Sequence, residues 1–145
     1  NTAPSMPTKV FVDTNIIVDF LMKREPFDKP AALLFDKAHR GGIEAFVPAT
    51  VFPFVFYLLS KSLNSKASAW EAVARFRQLV TLLPVDRQVI DLALASNFKD
   101  LEDAVQYQLA KANAMDFLIT RNLKDFKKSD IPVLTAESFM QHFAG

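Results

Sequence analysis

The chain has no cysteine, which excludes disulfides, a thiolate nucleophile and a cysteine-ligated zinc site. It has only two histidines, His39 and His142, with no partner at ligand spacing, so both read as ordinary surface or packing residues. Three glycines leave no G-x-G-x-x-G, which argues against a Rossmann nucleotide-binding domain. Net charge is nearly absent: 17 Lys+Arg stand against 16 Asp+Glu, a formal +1. That balance speaks against a general polyanion binder and leaves room for a local basic patch. Long hydrophobic runs are missing too. The most apolar stretch, 45–59, is short of the roughly 20 residues that span a bilayer, and Pro48 and Pro53 interrupt it. Asn1–Pro7 has neither the basic start nor the apolar stretch of a signal peptide. Residues 1–8 read as a tail, partly foreign to the natural protein, with Met6 as the natural start. The expectation is a cytoplasmic protein with no membrane contact.

What is present suffices for one core. The chain is 145 residues long and half hydrophobic, with 14 phenylalanines. This length and apolar content predict a single domain over 9–145. Lys9–Asp13 is a short apolar run rich in β-branched and aromatic residues, a buried strand ending in an acid. Residues 14–22 read as a helix. A second helix covers 29–40, with Ala32, Leu33, Phe35 and Ala38 near helical spacing and Gly41-Gly42 as its stop. Further strands are expected at 45–47, 82–85, 116–120 and 131–134. Helices are expected at 50–62, 68–80, 86–95 and 100–113, with a last one from Thr135 to near Ala144. Strands of continuous apolar character alternating with helices predict a three-layer α/β/α sandwich around a central, mainly parallel sheet.

Ligands of open parallel sheets bind beyond the carboxyl ends of the strands. Asp13 ends the first strand. Thr120, Arg121 and Asn122 follow the strand at 116–120, and Asp100, Glu102 and Asp103 open the helix before it. Carboxylates gathered in one cleft repel unless a cation neutralises them. Mg²⁺ and Mn²⁺ suit such oxygen sites, and a cation there can activate water for phosphodiester hydrolysis. Each acid also has a plainer use. Asp13 is placed to cap the first helix, and Asp100 with Asp103 has the spacing of a capping box. Asp125 is placed to organise the turn after Asn122.

The segments Val10–Leu21, Asp103–Tyr107 and Phe117–Phe126, in this order, resemble PIN domains, and the likeness runs from Lys9 to the final helix. Arg24–Phe27 and Ser129–Thr135 look like a bacterial branch of that family. PIN domains are typically Mg²⁺- or Mn²⁺-dependent ribonucleases. Many are toxins of toxin–antitoxin pairs, and many dimerise. The resemblance therefore implies an endoribonuclease, with RNA, an antitoxin protein and a second copy of the chain as partners. It puts the first metal-binding acid at Asp13 and a later one at Asp103, and the post-strand position on Asn122 or Asp125. Asp100 and Glu102 are the supporting metal candidates, and Asn15, Thr120, Arg121 and Lys124 the candidate RNA contacts.

One position departs from the family. The usual Glu early in the helix after the second strand falls on Phe54, and a phenyl ring cannot bind a hard cation. Either Asp100 or Glu102 substitutes, or metal affinity is weak, or the domain is a non-catalytic module that binds RNA or a protein. A phosphatase of the haloacid-dehalogenase type ranks low, because Asn15 stands where that chemistry needs a second Asp. Arg121, Lys124, Lys127 and Lys128 form a basic cluster suited to phosphates. The Phe-rich stretch 52–57 and Trp70 read first as core and second as a partner surface.

Overall fold

The first strand, β1 (Thr8–Val12), ends in Val10, Phe11 and Val12, none of which has any exposed surface. Successive side chains of a strand face opposite ways. Val10 and Val12 accordingly enter one core cluster and Phe11 enters a second on the other side of the sheet. Burial on both faces is why this strand is a continuous apolar run rather than an alternating one.

The computed structural model describes residues 6–143. The chain continues through α1 (Thr14–Leu21), α2 (Asp28–His39), β2 (Ile43–Pro48), α3 (Val51–Ser62) and α4 (Lys66–Arg77). β3 (Thr81–Leu83), α5 (Arg87–Leu94), α6 (Leu101–Ala112) and β4 (Phe117–Ile119) follow. A 3-10 turn (Leu123–Phe126), β5 (Val133–Leu134) and α7 (Ala136–His142) close the described chain. The sheet order is β3-β2-β1-β4-β5, and every pairing is parallel. The fold is a three-layer α/β/α sandwich. One face of the sheet packs with residues of α1, α2, α3, α4 and α7, and the other with α5, α6 and the 3-10 turn. No helix among the described residues is long and apolar enough to cross a membrane.

The sequence expectations hold for the order and type of these elements and shift at several faces. β3 stops at Leu83, before Pro84, whose missing N–H cannot extend the ladder. In α2 the buried stripe is Ala31, Leu34 and Phe35, while Ala32 and Leu33 face solvent. The stripe is thus rotated from the expected one. α4 starts earlier than expected because Ser65 caps it, its side chain accepting from the Ser68 N–H. Trp70 is 71% exposed rather than packed against the sheet, and Ala69 and Phe76 take the buried positions of α4. The Phe-rich stretch is likewise divided: Val51, Val55 and Leu59 are buried, and Phe54 and Tyr57 are exposed. The expected tail falls outside the described residues at 1–5, and β1 begins at Thr8. The expected end of the last helix, Ala144, also lies outside them.

β1 is the middle strand, and the chain order reverses there: β2 and β3 lie on one side, β4 and β5 on the other. Such a switch point leaves a crevice beyond the carboxyl ends of β1 and β4. The Asp13 N–H donates to the Ile119 carbonyl at 2.9 Å, which carries the pairing of these strands to their ends.

Candidate active site

Asp13 sits in that crevice and is only 2% exposed. It occupies the N-cap position of α1, yet its side chain makes no capping hydrogen bond. The carboxylate turns toward two other elements instead. Its Oδ1 accepts from the Gln106 Nε2 at 2.8 Å, and its Oδ2 accepts from the Thr120 hydroxyl at 2.6 Å. Both partners are fully buried or nearly so. Gln106 is itself anchored, since its Oε1 accepts from the Thr14 N–H at 3.0 Å and the Thr14 hydroxyl at 3.3 Å. The Thr120 hydroxyl also accepts from the Asn122 N–H at 3.1 Å. A buried carboxylate needs such donors, because leaving it unpaired is costly.

The first turn of α6 supplies the other acids. Asp100 is its N-cap and accepts from the Asp103 N–H at 3.0 Å, so the plain capping role holds for Asp100. Among the described residues the Asp103 side chain makes no return bond to close a capping box, which leaves it free for the crevice. Asp100, Glu102 and Asp103 each bring a ligand oxygen within 4.8 Å of the others'. Asp103 is pushed up to about 7, first by desolvation and then by the charges of Asp100, Asp13, Asp125 and Glu102. Glu102 is also raised, by desolvation and by Asp13 and Asp100. Five carboxylates from three parts of the chain therefore converge on one place. The donor set is all oxygen, with no His or Cys, and its charges repel one another. That is the chemistry a hard divalent cation fits.

These shifts carry a sign. Asp103 in the unfolded chain titrates near 3.8, and in the folded chain near 7. Between the two the folded state keeps a proton that the unfolded state has lost, so falling pH favours folding. Thermal melts in EDTA should show a rising midpoint as pH falls from about 8 to about 5.5. A level or falling midpoint contradicts this arrangement of acids.

The remaining sequence candidates divide. Asp125 and Lys124 line a cavity of about 400 Å³ together with Asp100 and Asp103. Asn122 heads the 3-10 turn, half-buried, with its side chain making no hydrogen bond among the described residues. Asn15 is half-buried at the second position of α1, also without a side-chain hydrogen bond among them. Thr120 is fully buried and engaged with Asp13. Arg121 points elsewhere: its guanidinium makes two bonds to the buried Asp19, at 2.7 and 3.2 Å, and lies 4.2 Å from the Phe27 ring centroid. That pair ties the exit of β4 to α1 and separates Arg121 from the lysines with which it clusters in sequence.

Phe54 is 46% exposed and lines a small cavity of about 50 Å³ with Thr14, Thr50, Glu102 and Gln106. The phenyl ring therefore stands beside Glu102, at the edge of the acidic cluster. Gln106 is the residue that a search for acids misses. It lies three positions after Asp103, on the same side of α6. A buried amide on a helix whose other buried residues are Ala104, Tyr107, Leu109 and Ala110 is the signal that finds it.

Residues 9–124 match the family model of the PIN domain. The chain is 31% identical over 140 residues to Ribonuclease VapC1 of Aquifex aeolicus (strain VF5), covering 93% of this chain and 95% of the relative. Among solved structures it resembles a DNA-bound VapBC of Salmonella typhimurium, with a TM-score of 0.66 and 18% identity over 89% of this chain and 98% of that one. A toxin–antitoxin complex from Klebsiella pneumoniae gives a TM-score of 0.63 at 21% identity, over 88% and 97%. These structures are alike in fold.

Proposed function

The chain belongs to the PIN domain family, and on that premise we propose that it is a metal-dependent endoribonuclease hydrolysing RNA phosphodiester bonds. The observation that carries the reading is the buried Asp13 carboxylate, held by Gln106 and Thr120 at the switch point and electrostatically coupled to Asp103. Asp13 and Asp103 would hold Mg²⁺ or Mn²⁺, with Glu102 and Asp100 in support. Glu102 shares a cavity wall with Phe54 and so stands in for the acid the family usually carries there. When bound, the cation supplies Lewis-acid stabilisation of phosphoryl oxygens and a more acidic water. Gln106 and Thr120 fix the direction of the Asp13 oxygens. Asn122, with its side chain free, orients the phosphate or the attacking water, and Asp125, in the same cavity lining as Asp100 and Asp103, adds negative charge. No residue is placed as a nucleophile, and no covalent enzyme intermediate is needed.

We further propose that this chain is the toxin of a toxin–antitoxin pair, acting in the cytoplasm, with an antitoxin protein as partner and a second copy as a further one. The Klebsiella pneumoniae structure, described as a toxin–antitoxin complex, supports that reading. So does the exposed apolar surface of Trp70, Phe54 and Tyr57 on α3 and α4, since large exposed apolar groups are typical of partner surfaces.

Cleavage of a labelled single-stranded RNA pool with Mn²⁺, with Mg²⁺ and with EDTA tests the activity. Cleavage in either metal and none in EDTA is expected. No cleavage, together with no Mn²⁺ binding, would favour the reading in which Phe54 marks a non-catalytic binding module.

A further inference from the structure

Another cavity, of about 280 Å³, opens where α1, α2 and the start of α7 meet. It shares no lining residue with the cavity of Asp100, Asp103 and Asp125. Its apolar lining comes chiefly from Ile16, Pro26, Phe27 and Pro30, and Phe27 is 43% exposed. Its charged groups are Arg121 and Glu137. Asp13 is close along the backbone: the Ile16 N–H donates to the Asp13 carbonyl at 3.0 Å, and Arg121 directly follows Thr120, which bonds the Asp13 carboxylate. The Arg121 guanidinium is already fixed. The buried Asp19 accepts from its Nε at 2.7 Å and its Nη2 at 3.2 Å, and the Phe27 ring centroid lies 4.2 Å from it. Asp19 thus engages one side of the planar fork. Nη1 donates to no group among the described residues, so the end of the fork, Nη1 with the second N–H of Nη2, is open. The Glu137 carboxylate makes no hydrogen bond or ion pair among them either, and the cap of α7 is Thr135.

We infer that this cavity takes an unpaired guanine of the RNA beside the scissile bond, read by Arg121 on its O6/N7 edge and by Glu137 on its N1–H/N2–H edge. The inference rests on the ribonuclease reading and gives it a base preference. Guanine alone among the four RNA bases offers two adjacent acceptors, O6 and N7, together with two adjacent donors, N1–H and N2–H. An open guanidinium edge matches the acceptors bidentately. A carboxylate, which only accepts, matches the donors. Adenine turns its amino group toward Arg121 and has no N1–H for Glu137, and pyrimidines have no N7. A backbone phosphate in the same place would face the Glu137 carboxylate, a like-charge contact. The exposed Phe27 surface and the flat guanidinium are the kind of face on which unpaired bases stack.

Removing Arg121 would strand the buried Asp19 without its cation and risk the fold, so the Arg121 contact is tested from the RNA side. A labelled single-stranded RNA of adenine and uracil with one guanine is compared with strands carrying adenine, inosine or 7-deazaguanine at that position. Affinity is followed by fluorescence anisotropy in EDTA for wild type, Glu137→Ala and a Glu71→Ala control on α4. Cleavage of the same strands in Mn²⁺ is mapped in parallel. Wild type should prefer guanine over adenine by at least about 5-fold, the low end for a bidentate base contact. Inosine, which lacks the N2 amino group, and 7-deazaguanine, which lacks N7, should each weaken binding at least about 3-fold, for one charge-assisted hydrogen bond lost at a partly exposed site. Glu137→Ala should abolish the inosine effect, keep the 7-deazaguanine effect and leave the adenine strand unchanged. Glu71→Ala should match wild type throughout. Equal affinity for the guanine and adenine strands, no binding of either, or a full guanine preference kept by Glu137→Ala overturns the inference. Guanine-dependent binding without metal-dependent cleavage would sustain the pocket and sink the nuclease. Metal-dependent cleavage indifferent to the guanine would keep the nuclease and sink the pocket.

Discussion

On the proposed reading, the Asp103→Asn protein should lose at least about 100-fold of metal-dependent RNA cleavage, because it would remove a ligand of a cation worth several kcal/mol to the transition state. Its stability should move the other way. Asp103 is pushed up to about 7 by desolvation and by four neighbouring acids, so its charge opposes folding at neutral pH. The neutral amide relieves that repulsion, and the Asp103 N–H that Asp100 caps is retained. In EDTA the variant should therefore melt above wild type at about pH 8, the trade of stability against activity expected at a functional site. Asp13→Asn should lose cleavage to a similar degree. It keeps an oxygen for Gln106, and the Thr120 hydroxyl has lone-pair capacity for the new amide. Two inactive but folded variants locate the site. Two fully active ones would remove Asp13 and Asp103 from it.

The second large effect concerns groups that touch Asp13 and not the substrate. Gln106→Leu and Thr120→Val each remove one of the two donors that fix its carboxylate. Partners of metal-binding side chains typically contribute about 10–100-fold in metal affinity or activity. A loss of that size in Mn²⁺ affinity is expected for both, measured by titration calorimetry. Stability should also fall by about 1–3 kcal/mol, because Gln106→Leu leaves the Thr14 N–H, and Thr120→Val the Asn122 N–H, without its acceptor. Thr120→Ser keeps the hydroxyl and separates the two effects. If the hydroxyl positions Asp13, Thr120→Ser restores Mn²⁺ affinity even where its melting temperature stays below wild type. If Thr120 only fills space, metal affinity follows stability and Thr120→Ser restores neither.

The basic cluster shows how neighbours in sequence part in space. Arg121 and Lys124 are three residues apart, yet one is bound to Asp19 in α1 and the other opens into the cavity beside Asp125. Lys99, distant from both in sequence, joins Lys124 there. Charge runs are visible in a sequence, but the partner that neutralises one member of a run is not. The Asp19–Arg121 pair spans 102 positions, and nothing local to either residue joins them.

The sequence by itself determined the layered α/β/α fold, because strands buried on two faces must be continuous apolar runs and β1 is one. It also determined which acids stand at the ends of those elements: Asp13 after β1, and Asp100, Glu102 and Asp103 at the start of α6. Helix caps were legible in the same local way, as the Asp100 cap bears out. Only the tertiary structure decided that the Asp13 side chain makes no capping bond, that Gln106 and Thr120 hold it, and that Trp70 faces outward. The reason is the parallel sheet. It sets β4 beside β1, so that Asp13 meets partners 93 and 107 positions away. Local periodicity carries no record of which distant strand will lie alongside.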